Sequence, residues 1–247
     1  MKSWEIDINC DVGEGVGNEA DLFPYISSCN LSCGAHAGDV ETMIKVIALA
    51  KVHGIKIGAH PSYPDRENFG RVTMPITTEE LKKSIVSQIQ QLKVLVNTAG
   101  LELHHIKAHG ALYNDISKDR QLAISFLDCI SPYKDSCKLY APYGSVVAKE
   151  ATRLGFSIVY EAFGDRNYNP DLSLVSRKEP EALILKPERV LDHVVSMVKN
   201  DKVTSVNGII IPINASTICI HGDTPSALQI LMYLSNELPK HQIHLKK

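Results

Sequence analysis

At 247 residues, with a formal charge of -2 and 44% hydrophobic residues, the chain is about the length of one α/β barrel and can bury a large core. The near-neutral charge and the lack of a Lys/Arg stripe argue against a nucleic-acid binder, and no segment approaches the length of a membrane span. Residues 1–5 lack the apolar stretch of a signal peptide and the six cysteines form no C-x-x-C pair, so a cytoplasmic protein with reduced, packed thiols is expected.

The first predicted strand runs from Glu5 to Cys10 and leads into a glycine-studded loop, with Asn9, Asp11 and Glu14 at its far end. An apolar stretch from Ile26 to Leu31 leads to His36. Asp39 can then cap a helix whose Met43, Val46, Ile47 and Ala50 share one face and which Gly54 stops. Ile55 to Ala59 forms a short strand into His60, followed by a polar loop from Pro61 to Pro75 that is longer than a connector needs. Thr77 and Glu80 have capping-box spacing ahead of a long helix with Leu81, Ile85, Ile89, Leu92 and Val96 on one side.

Leu103 to Ala108 returns as a strand into His109, and a helix bearing Leu122, Phe126, Leu127 and Ile130 follows. Strands are predicted next from Lys138 to Ala141, from Phe156 to Tyr160 and from Gly208 to Ile213, with helices at Val146 to Ala151 and from Pro187. Thr217 to Ile220 ends at His221, and Pro225 sits at the first turn of the last helix. This alternation fits one domain over residues 1–247, either a parallel α/β barrel or an open doubly wound sheet.

Four histidines, His36, His60, His109 and His221, each follow a strand-like run and sit beside a glycine or proline. Such positions fall at strand carboxyl ends, where α/β folds keep their chemistry. One strand-end histidine can simply satisfy a nearby carbonyl; four in the same context point to acid–base work or metal ligation. His53, His104, His105, His193, His241 and His244 lack that context and read as structural.

The carboxylates Asp11, Glu14, Asp165 and Asp223 follow the same geography, although Asp39 and Asp223 read equally well as a helix cap and a loop residue. Asp11 with His36 and His60 can alternatively ligate a divalent metal. Arg71, Lys107 and Arg166 stand beside the same strand ends and can hold a substrate carboxylate or phosphoryl group. There is no Walker pattern and no G-x-S-x-G elbow.

The segments D-I-N-C-D-V-G-E at Asp7 to Glu14, C-G-A-H-A-G-D at Cys33 to Asp39, G-A-H-P-S-Y-P-D at Gly58 to Asp65, F-G-R at Phe69 to Arg71, H-G-A-L-Y-N at His109 to Asn114 and H-G-D-T-P at His221 to Pro225 together resemble the LamB/YcsF family. Glu161 to Arg166, with Asn167 and Tyr168, adds another matching block. The resemblance runs from the first strand to the last helix. It departs at Ala35, Ala108, Gly164 and Ser176, small residues beside retained polar groups.

That resemblance implies a single-domain, irregular (β/α) barrel related to the polysaccharide-deacetylase fold. It also implies the A subunit of a prokaryotic ATP-dependent 5-oxoprolinase, with ATP as co-substrate, 5-oxoproline as substrate and the B and C subunits as partners. The expected catalytic set is Asp11, Glu14, His36, His60 and His109. Arg71, Lys107, Asn114, Asp165, Arg166, His221 and Asp223 are expected to bind substrate. Two other readings stand beside it: a metal-dependent amidase or deacetylase acting alone, and a non-catalytic component that presents substrate to a partner.

Overall fold

The structure, a computed structural model, describes residues 2–246. Seven strands, β1 (Trp4–Val12), β2 (Ser28–Ser32), β3 (Lys56–His60), β4 (Leu103–Ile106), β5 (Lys138–Pro142), β6 (Ile158–Phe163) and β9 (Thr217–Cys219), pair in parallel in that order. The circle closes where β9 pairs with both β6 and β1. Closure selects the barrel over the open sheet.

Two short strands, β7 (Lys202–Thr204) and β8 (Ile210–Pro212), lie outside the barrel as an antiparallel pair. The strand expected from Gly208 to Ile213 is therefore real but shorter, and belongs to a hairpin. Its Ile209 and Ile210 are 52% and 64% exposed, and Pro212 has no N–H to give a barrel ladder. A last strand, β10 (Ile243–Leu245), pairs in parallel with the start of β1.

The helices follow the strands as the apolar spacing dictates. Helix α2 (Val40–His53) is capped by Asp39, whose carboxylate accepts the Thr42 N–H. Helix α3 (Thr78–Thr98) starts with the Thr77/Glu80 capping box and buries all five apolar residues of the predicted stripe, each contributing about 1.5–3 kcal/mol as an upper estimate. Helices α5 (Arg120–Ile130), α6 (Val146–Arg153) and α7 (Pro187–Asn200) lie where the periodicity placed them. The last helix, α8 (Ala227–Glu237), starts after Pro225 instead of enclosing it. Helices α1 (Glu19–Leu22) and α4 (Gly110–Ile116) are too short to give a periodic signal.

Alternation along the strands fills the barrel with polar side chains. Asp7, Asn9 and Asp11 on β1 and Ser28, Asn30 and Ser32 on β2 are all buried, at every second position. Around this polar interior sits the apolar layer between strands and helices. All six cysteines are buried and unpaired, as expected.

Candidate active site

The strand carboxyl ends bring Asp11, Glu14, His36, His60 and His109 together. His60 Nδ1 donates to the Lys107 carbonyl at 2.9 Å and His109 Nε2 donates to the Phe69 carbonyl at 2.9 Å. Each backbone acceptor fixes the outer nitrogen of its ring as the protonated one. The inner nitrogens, His60 Nε2 and His109 Nδ1, then face each other at 2.9 Å with lone pairs inward. Asp11 Oδ2 is 3.4 Å from His60 Nε2, and Glu14 Oε1 is 3.3 Å from His109 Nδ1.

Four acceptor atoms converging this closely need a proton or a cation between them. The donor atoms of Asp11, Glu14, His60 and His109 all lie within 4.8 Å of one another, so this set fits a divalent metal with oxygen and imidazole ligands. His36 stands behind the set. It stacks on His109 at 3.7 Å between centroids, donates from Nε2 to Glu14 at 3.1 Å and meets Ser62 Oγ through Nδ1 at 2.8 Å. Burial pushes its pKa down to about 3, against the pull of Glu14, so the ring is neutral.

Burial favours the neutral acid form of Glu14, but the neighbouring His109 and His36 imidazoles outweigh it and hold the carboxyl below its ordinary range. Burial likewise opposes ionisation of Asp11, and His60 followed by Lys107 overcomes it. Lys107 Nζ lies 2.9 Å from Asp11 Oδ1 and 3.0 Å from Glu161 Oε1. Burial disfavours this ammonium, yet the neighbouring carboxylates, Asp11 first, raise its pKa. It is a fixed positive charge inside the barrel.

A polar scaffold holds Asp11. Asn30 Nδ2 donates to Asp11 Oδ1 and to Asn9 Oδ1, both at 2.7 Å, while His105 Nε2 meets Asn30 Oδ1 at 2.7 Å. His105 stacks on Tyr140 at 3.9 Å. Gly58 makes room for it, since a Cβ there would sit 2.1 Å from His105 Nε2. Thus His105 positions Asp11 through Asn30, a link that strand-end context does not mark.

His221 forms a second arm. Asp165 Oδ1 accepts from His221 Nδ1 at 3.0 Å, and Asp165 Oδ2 accepts from the His221 backbone N–H at 3.1 Å and the Thr224 hydroxyl at 2.6 Å. Burial works against the Asp165 carboxylate, but His221 and these donors lower its pKa. Gly222 lets the loop lie on β1, because a Cβ there would be 2.8 Å from the Asp11 carbonyl. His221 and Asp11 consequently fall into one group with Cys219, donor atoms within 4.8 Å.

Four of the expected binding residues, Arg166, Asp223, Arg71 and Asn114, lie elsewhere or are already engaged. Arg166 is buried and donates to the Val175 and Ala182 carbonyls at 2.6 and 3.2 Å. Asp223 pairs with Arg71 at 2.5 Å and with Arg177 at 3.4 Å, both partly exposed. Asn114, on α4, is exposed at the wall of a neighbouring cavity. Asn9, Asn30, His105, Glu161 and Arg177 join the site without having been singled out as site residues from the sequence.

The LamB/YcsF family profile matches residues 6–247, and the chain belongs to that family. It is 40% identical over 246 residues to the 5-oxoprolinase A subunit of Thermococcus sibiricus, covering 98% of this chain and 96% of the relative. The 5-oxoprolinase A subunit of Acinetobacter baumannii is also 40% identical, with 98% and 97% covered. The crystal structure of the lactam utilization protein from Thermus thermophilus superposes with a TM-score of 0.89 at 32% identity, covering 98% of this chain and 99% of that one. A structure from Enterococcus faecalis, with TM-score 0.60 and 13% identity, shares the fold alone. Among the described residues, no helix is long and apolar enough to cross a membrane.

Proposed function

We propose that this chain acts as the A subunit of a cytoplasmic, ATP-dependent 5-oxoprolinase, opening the lactam of 5-oxoproline to L-glutamate together with the B and C subunits. The observation that carries this reading is the identity to 5-oxoprolinase A subunits along 98% of the chain, and the buried carboxylate–imidazole cluster supplies the chemistry.

A lactam carbonyl is a poor electrophile. Transfer of the ATP γ-phosphoryl group to its oxygen breaks the bond to ADP and activates the ring carbon. Water then adds there, the C–N bond breaks to give an acyl phosphate and an amine, and a second water releases phosphate and glutamate. Asp11, with His60 and His109, accepts the proton of the attacking water. His221, oriented by Asp165, is placed to protonate the leaving nitrogen. Lys107 offsets negative charge developing inside the barrel, and Arg71 with Arg177 offers cations for a substrate carboxylate or phosphoryl group.

The donor set of Asp11, Glu14, His60 and His109 favours a second reading, a metal-dependent amidase acting alone. A divalent cation held there would polarise a carbonyl and acidify a bound water. Reconstitution separates the two readings. Glutamate and ADP are measured with this chain, each of its two partner proteins and ATP omitted in turn, and coupled production only by the complete set is expected. Glutamate formed from 5-oxoproline by this chain without ATP would replace the first reading with the second.

A further inference from the structure

Next to the cluster lies a cavity of about 200 Å³, between the start of α4 and the segment around Tyr168. Its lining includes Tyr113, Glu161, Phe163 and Tyr168. Glu161 Oε1 is fully engaged, by Lys107 Nζ and by Asn9 Nδ2, each at 3.0 Å. Glu161 Oε2 and the Tyr113 hydroxyl, by contrast, complete no well-formed hydrogen bond among the described residues and approach only each other's residue, although the two residues are only 2% and 6% exposed. Leaving a buried acceptor and a buried hydroxyl unsatisfied costs free energy, which folded proteins tolerate chiefly at functional sites. Burial, followed by the adjacent Glu161 charge and the approach of the hydroxyl to that carboxylate, raises the Tyr113 pKa, so the phenol keeps its proton and can donate.

We propose that Tyr113 and Glu161 read the amide edge of a small lactam, an inference that rests on the reaction proposed above. A five-membered ring holds its amide cis, so the N–H and the C=O open on the same edge. One acceptor beside one donor matches that edge: Glu161 Oε2 takes the ring N–H and the Tyr113 hydroxyl donates to the ring carbonyl. A secondary open-chain amide is trans, with the two groups on opposite edges, and its cis form is strongly disfavoured. The pair therefore selects lactams over linear secondary amides. The cavity is smaller than the ~300–1,000 Å³ of drug-sized sites, as a five-membered ring requires. Glu161 and Asp11 touch the same Lys107 ammonium, which links the cavity to the cluster.

The test uses the reconstituted complex and compares wild type with Tyr113→Phe, which deletes only the hydroxyl and keeps the ring against Phe163. The expected result is a KM for 5-oxoproline raised about tenfold, corresponding to one lost hydrogen bond, with a thermal midpoint that is unchanged or higher. A purely structural hydroxyl would lower the midpoint and leave KM alone. The second measurement needs no variant. N-methyl-5-oxoproline, which has no N–H for Glu161, should bind at least about 100-fold more weakly than 5-oxoproline when the two compete. An unchanged KM in folded Tyr113→Phe, or an N-methyl analogue that competes equally, overturns the inference while the reaction stands. A wild-type complex with no 5-oxoproline turnover overturns the reaction, and this inference with it.

Discussion

Lys107, just past the end of β4, and Asp11, on β1, two strands that are not neighbours in the barrel, meet through a 2.9 Å contact across its interior. His60 and then the ammonium keep the Asp11 carboxylate ionised despite its burial, and the Asn30 amide fixes its orientation. Asp11→Asn preserves shape and removes both charge and basicity. Turnover of the reconstituted enzyme should fall by about 10²–10⁴-fold. Circular dichroism should show a folded chain, because Lys107 keeps its Glu161 partner. Near-normal turnover in that folded variant would exclude Asp11 as the base.

Asp165→Asn tests the second arm. The carboxylate holds the His221 Nδ1 proton, and an amide that presents its NH₂ to the same nitrogen selects the wrong tautomer. Turnover should drop by roughly 10²-fold or more, with a changed alkaline limb of the pH–rate profile. An unaltered profile would remove His221 from proton transfer.

Acid should destabilise the fold well before ordinary carboxylates titrate. His36 has a folded pKa of about 3, whereas an unfolded histidine titrates near ~6.5. Between those values the unfolded chain binds the extra proton, so stability rises with pH through this window and is fully present above it. The slope for His36 alone is up to about 1.4 kcal/mol per pH unit. His105 and His109 are lowered by burial in the same direction and steepen it. Urea unfolding at pH 5, 6 and 7 checks this, and a flat midpoint across the series would contradict the buried, neutral rings.

Gly58→Ala should destabilise by about 1–3 kcal/mol. The added methyl would meet the buried His105 ring, which is pinned by Asn30 and by stacking on Tyr140. Turnover should fall as well, since the displaced ring loosens Asn30 and, through it, Asp11. Chemical denaturation and kinetics on the same variant read both effects.

Much of this arrangement is written in local signals. Each of the four strand-end histidines reaches the same end of the barrel because a small or turn-forming residue lets the chain leave the sheet there, and Asp39 and Thr77 cap their helices as their spacing dictates. Asn9, Asn30 and His105 were harder to see, because their role depends on closure. A polar residue every second position, as in Asp7, Asn9 and Asp11, marks one face of a strand but does not say that this face looks into a barrel. Arg166 shows the converse: its place beside Asp165 suggested an anion site, yet its guanidinium ties two backbone carbonyls of the segment that packs over it.

The pairing of β1 with β9 sets an order on assembly. The Thr217 hydroxyl donates to Asp7 across a separation of 210 residues, and Ile8 sits opposite Ile218 in the ladder. During synthesis β1 waits for a partner made 210 residues later, so its second edge stays open in the meantime. Contacts this distant in sequence slow folding, and an open strand edge invites wrong partners in the interval. Translation speed and chaperone supply should therefore govern the yield of active protein more than any local helix propensity does.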